Sequence, residues 1–112
     1  MTAEPFYFDI SGRGVGVFLG STEARLMELA WQHDSLTVKG ALMHLAPDRA
    51  PAYTTVMTVL NRLAENGLLL RAKDGRNFVY RPAVDRDQFV RFRVSQIAKC
   101  LKRNFPQHQN IR

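Results

Sequence analysis

A chain of 112 residues with 46% hydrophobic side chains is long enough for one domain with its own core and too apolar for a disordered polymer. Its apolar runs are too short for a transmembrane helix, its N-terminus lacks a secretory pattern, and its lone cysteine excludes an internal disulfide, so we expect a cytoplasmic protein. Sixteen Lys and Arg residues against ten Asp and Glu residues give a net charge of +6, which favours nucleic acid over a membrane as the partner.

Residues 1–19 are predicted to form a lead-in to the domain. The pieces FYFDI and GVGVFL have a strand-like composition, and the turn-prone SGRG separates them. This pattern predicts a short strand or hairpin. The glycines at positions 12, 14 and 16 do not have the spacing of a phosphate-binding loop.

Two helices are predicted next. The first covers STEARLMELAWQH, with Ser21 or Thr22 as its N-cap. The second follows a cap at Ser35 or Thr37 and repeats an apolar stripe at helical spacing. The two prolines of APDRAP then end it.

The third predicted helix, within AYTTVMTVLNRLAENG, carries an apolar stripe and a polar face. The stripe has the spacing i, i+3, i+4 and i+7 and consists of Val56, Val59, Leu60 and Leu63. At about 100° per residue, Thr54, Thr58 and Asn61 lie on the opposite side, and Thr55 and Arg62 flank it. The short hydroxyl and methyl groups of threonine suit contact with bases, and asparagine can also read a base. Arg62 suits contact with phosphate.

A β-hairpin is predicted after the third helix. Two β-prone runs, 68–72 and 77–81, flank Lys73-Asp74-Gly75-Arg76, and Asp-Gly between such runs is typical of a hairpin turn. Arg71, Lys73 and Arg76 then form a basic cluster near the tip. Such a cluster is suited to contact with the phosphates of a nucleic acid.

The last predicted helix covers residues 83–103 and begins with a capping box formed by Asp85 and Gln88. Its apolar residues follow spacings of four, three and four, which is typical of a coiled-coil seam, and a phenylalanine lies beside them. We therefore predict a homodimer interface made by Phe89, Val90, Val94, Ile97 and Leu101. The polar tail, residues 104–112, contains a proline and is predicted to be disordered.

Three short helices followed by a hairpin are the order of a winged helix-turn-helix domain, here residues 20–82. The predicted fold class is mainly α with one small β-hairpin (α+β), followed by the dimerisation helix. In such domains the third helix enters the major groove and the hairpin lies on the neighbouring backbone. The predicted function is sequence-specific binding of double-stranded DNA, without cofactor or metal; the alternative is a protein-interaction module without specific DNA binding. We find no nucleophile elbow, metal-ligand cluster or phosphate loop that would indicate an enzyme.

Three segments resemble the penicillinase-repressor family of bacterial regulators (the BlaI/MecI and CopY type): LGSTEARLMELAW, AYTTVMTVLNRLAENGLL and DGRNFVYRP. The resemblance is close over residues 19–82 and loose over the last helix. It implies a winged-helix homodimer that binds a palindromic operator and represses resistance or stress genes. It also implies that the recognition helix starts at Tyr53 and Thr54, and we include Tyr53 among the predicted base-reading residues. The DNA-contacting residues that it implies are Thr54, Thr55, Thr58 and Arg62, together with Arg76 of the wing.

The sequence departs from the family's patterns in and after its last helix. The family's dimerisation region usually contains further helices, so the end of the sequence at Arg112 implies a smaller seam. β-lactam-responsive members are cleaved at an Asn-Phe bond in this helix, where the chain has AKCLKR, with Asn104-Phe105 a few residues later. Copper-responsive members carry paired CxC motifs, which Cys100 alone cannot supply, and the three histidines lack a ligand spacing. The sequence therefore predicts no particular inducer.

Overall fold

The computed structural model describes Phe8, residues 12–46 and residues 51–108. Its helices are the 3-10 helix Gly14–Val17, α1 (Ser21–His33), α2 (Val38–Leu45), α3 (Tyr53–Glu65), α4 (Arg86–Asn104) and the 3-10 helix Pro106–His108. Its strands are β1 (Leu69–Asp74) and β2 (Asn77–Pro82). This order of three helices, a hairpin and a further helix confirms the predicted winged-helix fold and the mainly helical class.

The lead-in is helical where the strand-like GVGVFL was predicted. Gly14–Val17 form a turn of 3-10 helix, and Gly14 begins it with a φ of +53°, which glycine adopts without strain. Residues three apart lie above one another in a 3-10 helix, so Val15 and Phe18 both enter the core. The rest of the predicted lead-in lies outside the described residues, apart from Phe8, whose ring lies 6.5 Å from that of Phe18.

The N-caps of α1 and α2 differ in how well the sequence predicts them. Ser21 is the first helical residue of α1 and Gly20 is its N-cap, so neither Ser21 nor Thr22 has the predicted capping role. In α2 the predicted cap is present, since the Oγ1 atom of Thr37 accepts a hydrogen bond of 2.9 Å from the Gly40 N–H.

The apolar stripe of α3 lies in the core as predicted. Val56 and Leu60 are fully buried, and Val59 and Leu63 are nearly so. They pack against the buried face of α1, where Leu26, Met27 and Ala30 have no exposed surface. The amphipathic spacing therefore fixes which side of α3 faces solvent.

The hairpin has a two-residue turn, and its base is hydrogen-bonded to the helical part of the domain. β1 pairs antiparallel with β2 from Leu69 opposite Pro82 to Asp74 opposite Asn77, so β1 reaches further toward the turn than predicted. Gly75 has a φ of +64°, as the first central position of a type II′ turn requires. At the base, Tyr80 exchanges two main-chain hydrogen bonds of 2.8 Å with Leu36, between α1 and α2. These bonds join the hairpin to the helical part of the domain.

The start of α4 belongs to the core of the domain. The predicted capping box is present: Asp85 accepts from the Gln88 N–H at 2.7 Å, and the Gln88 side chain accepts from the Asp85 N–H at 3.0 Å. Phe89 is fully buried, with its ring centroid 6.1 Å from that of Phe18 and 5.9 Å from that of Trp31. A ring with no exposed surface cannot contact a second chain, so the prediction that Phe89 lies in the dimer seam is wrong.

The remaining seam residues divide between core and solvent. Val90 and Ile97 are half-buried against the core, Leu101 is half-buried, and Val94 is 52% exposed.

No helix in the described part of the chain has the length and hydrophobicity needed to span a bilayer.

The segment after α4 begins with regular structure where the sequence predicts disorder. Pro106–His108 form a turn of 3-10 helix, because proline is well suited to a first helical position. Residues 109–112 of the predicted tail lie outside the described residues.

Candidate nucleic-acid interface

The solvent-facing side of α3 is the predicted polar face. Thr54, Thr55, Thr58 and Arg62 are all exposed, and Tyr53, the first residue of the helix, is 52% exposed. Three threonines and an arginine therefore project from the side of α3 opposite the core. Short side chains leave the backbone of the helix free to approach a groove closely.

Thr58 uses its hydroxyl hydrogen within the helix. Its Oγ1 atom donates a 2.8 Å hydrogen bond to the main-chain carbonyl of Thr54, one turn earlier. This bond explains how a β-branched residue is accommodated in mid-helix. It also leaves Thr58 with a methyl group and oxygen lone pairs to offer a partner.

Asn61 faces the hairpin and is half-buried. Its Oδ1 atom accepts hydrogen bonds from the Tyr80 hydroxyl at 2.6 Å and from Nη1 of Arg71 at 3.0 Å. The sequence places Asn61 among the base-reading residues because a helical wheel puts it opposite the stripe. The structure gives its carbonyl oxygen to two donors of the same protein, so that oxygen is not available to a base.

The three basic residues of the hairpin are not equivalent. Arg71 holds Asn61, and its guanidinium carbon lies 4.6 Å from the centre of the Phe78 ring. Lys73 and Arg76, at the tip, are exposed and have no hydrogen-bond or ion-pair partner in residues 12–46 and 51–108. The tip therefore carries two solvated cations, whereas the exposed Arg71 already has two partners within the protein.

A groove of about 540 Å³ lies between α3 and the hairpin tip. Its walls are Thr37, Val38 and Lys39 of the start of α2, Tyr53 and Met57 of α3, and Arg76, Asn77, Phe78 and Tyr80 of the hairpin. Sequence reasoning missed Lys39. The signal that could have identified Lys39 is its position in the first turn of α2. In helix-turn-helix proteins, the helix before the recognition helix crosses the DNA backbone.

The histidines do not form a metal centre within the described ranges. The rings of His33 and His44 stack with their centroids 4.3 Å apart. Among the residues that the structure covers, no three His, Cys, Asp or Glu side chains are arranged to hold a metal ion.

Comparison with known proteins places this geometry in a family. The family described as penicillinase repressor matches residues 19–108. The transcriptional regulator BlaI of Mycobacterium tuberculosis is 41% identical over 73 residues, which are 64% of this chain and 53% of the relative. The penicillinase repressor of Bacillus licheniformis is 29% identical over 72 residues, which are 64% of this chain and 56% of the relative. The chain thus spans about half the length of these curated relatives.

Solved structures give the same result. The solution structure of the DNA-binding domain of the repressor BlaI has 31% identity and a TM-score of 0.54, over 60% of this chain and 82% of that chain. The solution structure of monomeric Bacillus licheniformis BlaI in complex with the blaP half-operator has 31% identity and a TM-score of 0.51, with the same coverage. Since the family match covers most of the sequence and the fold agrees, this chain belongs to the penicillinase-repressor family.

Proposed function

We propose that this chain is a sequence-specific DNA-binding transcriptional repressor that acts as a homodimer on a palindromic operator. The observation that carries the proposal is the exposed threonine face of α3 beside a hairpin tip with two unpaired cations among the described residues. An α-helix of this width fits the major groove of B-DNA, and the hairpin then lies over the adjacent backbone. Occupation of an operator by such a domain blocks the promoter that contains it.

The side chains divide into base readers and backbone contacts. Thr54, Thr55 and Thr58 face the bases, with Tyr53 at the point where the helix enters the groove. The cations Arg62, Lys73 and Arg76 contact phosphates, and Lys39 joins them from α2. Each cation that neutralises a phosphate releases counterions, so affinity should fall steeply with salt. The net charge of +6 would also speed the encounter with DNA.

Dimerisation is assigned to the outer face of α4. Val94 is the most exposed residue of the seam, and Val90, Ile97 and Leu101 border it. Two recognition helices related by a two-fold axis read half-sites whose centres lie about 34–36 Å apart, one turn of the duplex. The proposed seam therefore consists of Val90, Val94, Ile97 and Leu101, without Phe89.

The test is selection of bound DNA from a random pool, followed by salt titration of the enriched sequence. Enrichment of a short palindrome is the expected result. Arg76→Ala should weaken binding, whereas Arg103→Ala, which removes the same charge from the end of α4, should leave it nearly unchanged. A pool that yields no preferred sequence would reject the proposal in favour of a protein-interaction module.

A further inference from the structure

We infer that Asn61, Arg71 and Tyr80 form a clasp that fixes the hairpin against the recognition helix, and that Arg71 is a positioning residue and not a phosphate contact. The inference rests on the proposed function, because the angle of the hairpin matters when its tip and α3 meet the same DNA. It assigns a role to the basic side chain of the hairpin that is hydrogen-bonded to α3.

The clasp joins three segments through one oxygen atom. Arg71 of β1 and Tyr80 of β2 are directly opposite each other in the hairpin, so their side chains project from the same face. Both donate to Oδ1 of Asn61, from 3.0 Å and 2.6 Å. Because an amide oxygen has two lone pairs, two donors satisfy it fully. The third turn of α3 is thereby tied to both strands at the same level.

Tyr80 is the fixed point of the clasp. Its side chain is fully buried and its main chain is held to Leu36 by two hydrogen bonds of 2.8 Å. Burial raises the pKa of Tyr80, and the positive charge of Arg71 opposes that change without reversing it. The phenol is therefore protonated at neutral pH and donates its hydrogen to Asn61. The position of this hydroxyl cannot vary without disturbing the core.

Arg71 extends the clasp toward the tip. Its guanidinium lies over the Phe78 ring at 4.6 Å, and Phe78 lies across the strands from Lys73. A guanidinium that stacks on a ring and bonds to Asn61 holds the outer half of the hairpin as well as its base. The turn residue Arg76 lies two positions before Phe78, so its direction depends on this contact.

The positioning role and a phosphate role predict opposite results for Asn61→Ala. If Arg71 contacted phosphate, loss of its internal partner would leave its charge free, and affinity for DNA would stay equal or rise. If Arg71 positions the hairpin, Asn61→Ala lowers affinity by about 3- to 10-fold, the value of one hydrogen bond network in a partly exposed site. It does so without changing the preference for any base pair.

The matched control is Arg81→Ala. Arg81 is exposed, carries the same charge as Arg71, and projects from the opposite face of the hairpin, since it is the neighbour of Tyr80 in β2. Arg71→Ala and Arg81→Ala therefore remove equal charge from one strand pair. The clasp predicts that the first weakens DNA binding several-fold more than the second.

A measurement without DNA tests the clasp directly. Spin labels are placed on Glu65→Cys and Lys73→Cys in a Cys100→Ser background, and the labelled chain is diluted with unlabelled chain so that distances within one copy are recorded. Double electron–electron resonance should give a narrow distance distribution for this parent and for Arg81→Ala. Asn61→Ala and Arg71→Ala should each broaden it. Equal widths in all four proteins would overturn the clasp.

A second measurement connects the clasp to DNA. On the selected operator, the loss of affinity caused by Arg76→Ala should shrink to less than half in an Asn61→Ala background. The reason is that Arg76 no longer contacts its phosphate when the hairpin tip is misplaced. A full and additive Arg76 effect would overturn the inference. So would a purely structural effect of Asn61→Ala, in which the melting temperature falls and the salt dependence of DNA binding does not change. Failure of the parent and of Arg81→Ala to select any sequence would instead refute the proposed function, and the distance distributions would still decide the clasp.

Discussion

Thr58 is the position at which the structure best separates two ways of reading a base. Its hydroxyl hydrogen is bound to the Thr54 carbonyl at 2.8 Å, so Thr58 offers a base its methyl group and the lone pairs of its oxygen. We expect this methyl to contact the C5-methyl of a thymine in the major groove. Thr58→Val keeps the methyl and removes the hydroxyl, whereas Thr58→Ser does the reverse.

The expected change in DNA affinity follows from the size of the methyl group. Burying one methyl or methylene against another apolar group contributes about 0.8 kcal/mol, which is about fourfold in Kd. Thr58→Ser should therefore weaken binding to the selected operator about fourfold. Thr58→Val should change it less than twofold, because the lost bond to Thr54 is exposed and adds little to helix stability.

The assay is fluorescence anisotropy with operators in which one thymine at a time is replaced by deoxyuridine, which lacks the C5-methyl. For the parent protein and Thr58→Val, one replacement should cost about fourfold. For Thr58→Ser the same replacement should cost almost nothing, since the partner methyl is already gone. Greater loss of affinity in Thr58→Val than in Thr58→Ser would show that the hydroxyl reads the DNA, and would refute the reasoning.

Four further outcomes follow from the contacts. Arg76→Ala should weaken binding to all sequences alike and lower the slope of log K against log salt by about 0.9 per protomer, measured by salt titration. Phe89→Ala should lower the free energy of unfolding by roughly 3–5 kcal/mol in urea, because it empties a buried aromatic site. Val94→Asp should leave the melting temperature of the monomer nearly unchanged and break the dimer in sedimentation; a persisting dimer would place the seam elsewhere. Burial raises the pKa of Tyr80 above its ordinary value of 10.0, so the unfolded chain loses this proton first. Stability should therefore be complete below pH 10 and fall as the pH rises through the folded-state pKa, and Tyr80→Phe should remove this fall.

Several elements whose signals are local were predictable from the sequence. The stripe that contains Val56 and Leu60 needs nothing beyond helical geometry to face the core. The hairpin follows from Asp-Gly between β-prone runs, and the capping box of α4 follows from Asp85 and Gln88 at the required spacing. In each case the residues that make the interaction lie within a few positions of one another.

The surroundings of residues whose partners are distant in the chain could not be predicted from the sequence. Phe89 has the spacing of a dimer-interface residue, but a residue that faces the core of its own chain has the same spacing. Its contacts with the rings of Phe18 and Trp31 place it in the core. Asn61 lies opposite the stripe on a helical wheel, which takes no account of the hairpin that folds back and brings Tyr80 to its side chain. Helical periodicity gives the direction of a side chain relative to its own helix and carries no information on what covers it.

The sequence likewise does not show which charged side chains have partners within the protein, and this matters for the contacts of the hairpin with DNA. Arg71 and Arg76 are alike in composition, and both lie near the tip in the sequence. One is bound to Asn61 and stacked on Phe78, and the other is solvated in the turn. Counterions are released from DNA when a cation neutralises a phosphate, so a guanidinium that stays on Asn61 and Phe78 and contacts no phosphate adds nothing to the salt slope. The hairpin should therefore contribute about two units to the salt slope of each protomer, from Lys73 and Arg76, where the sequence alone predicts about three.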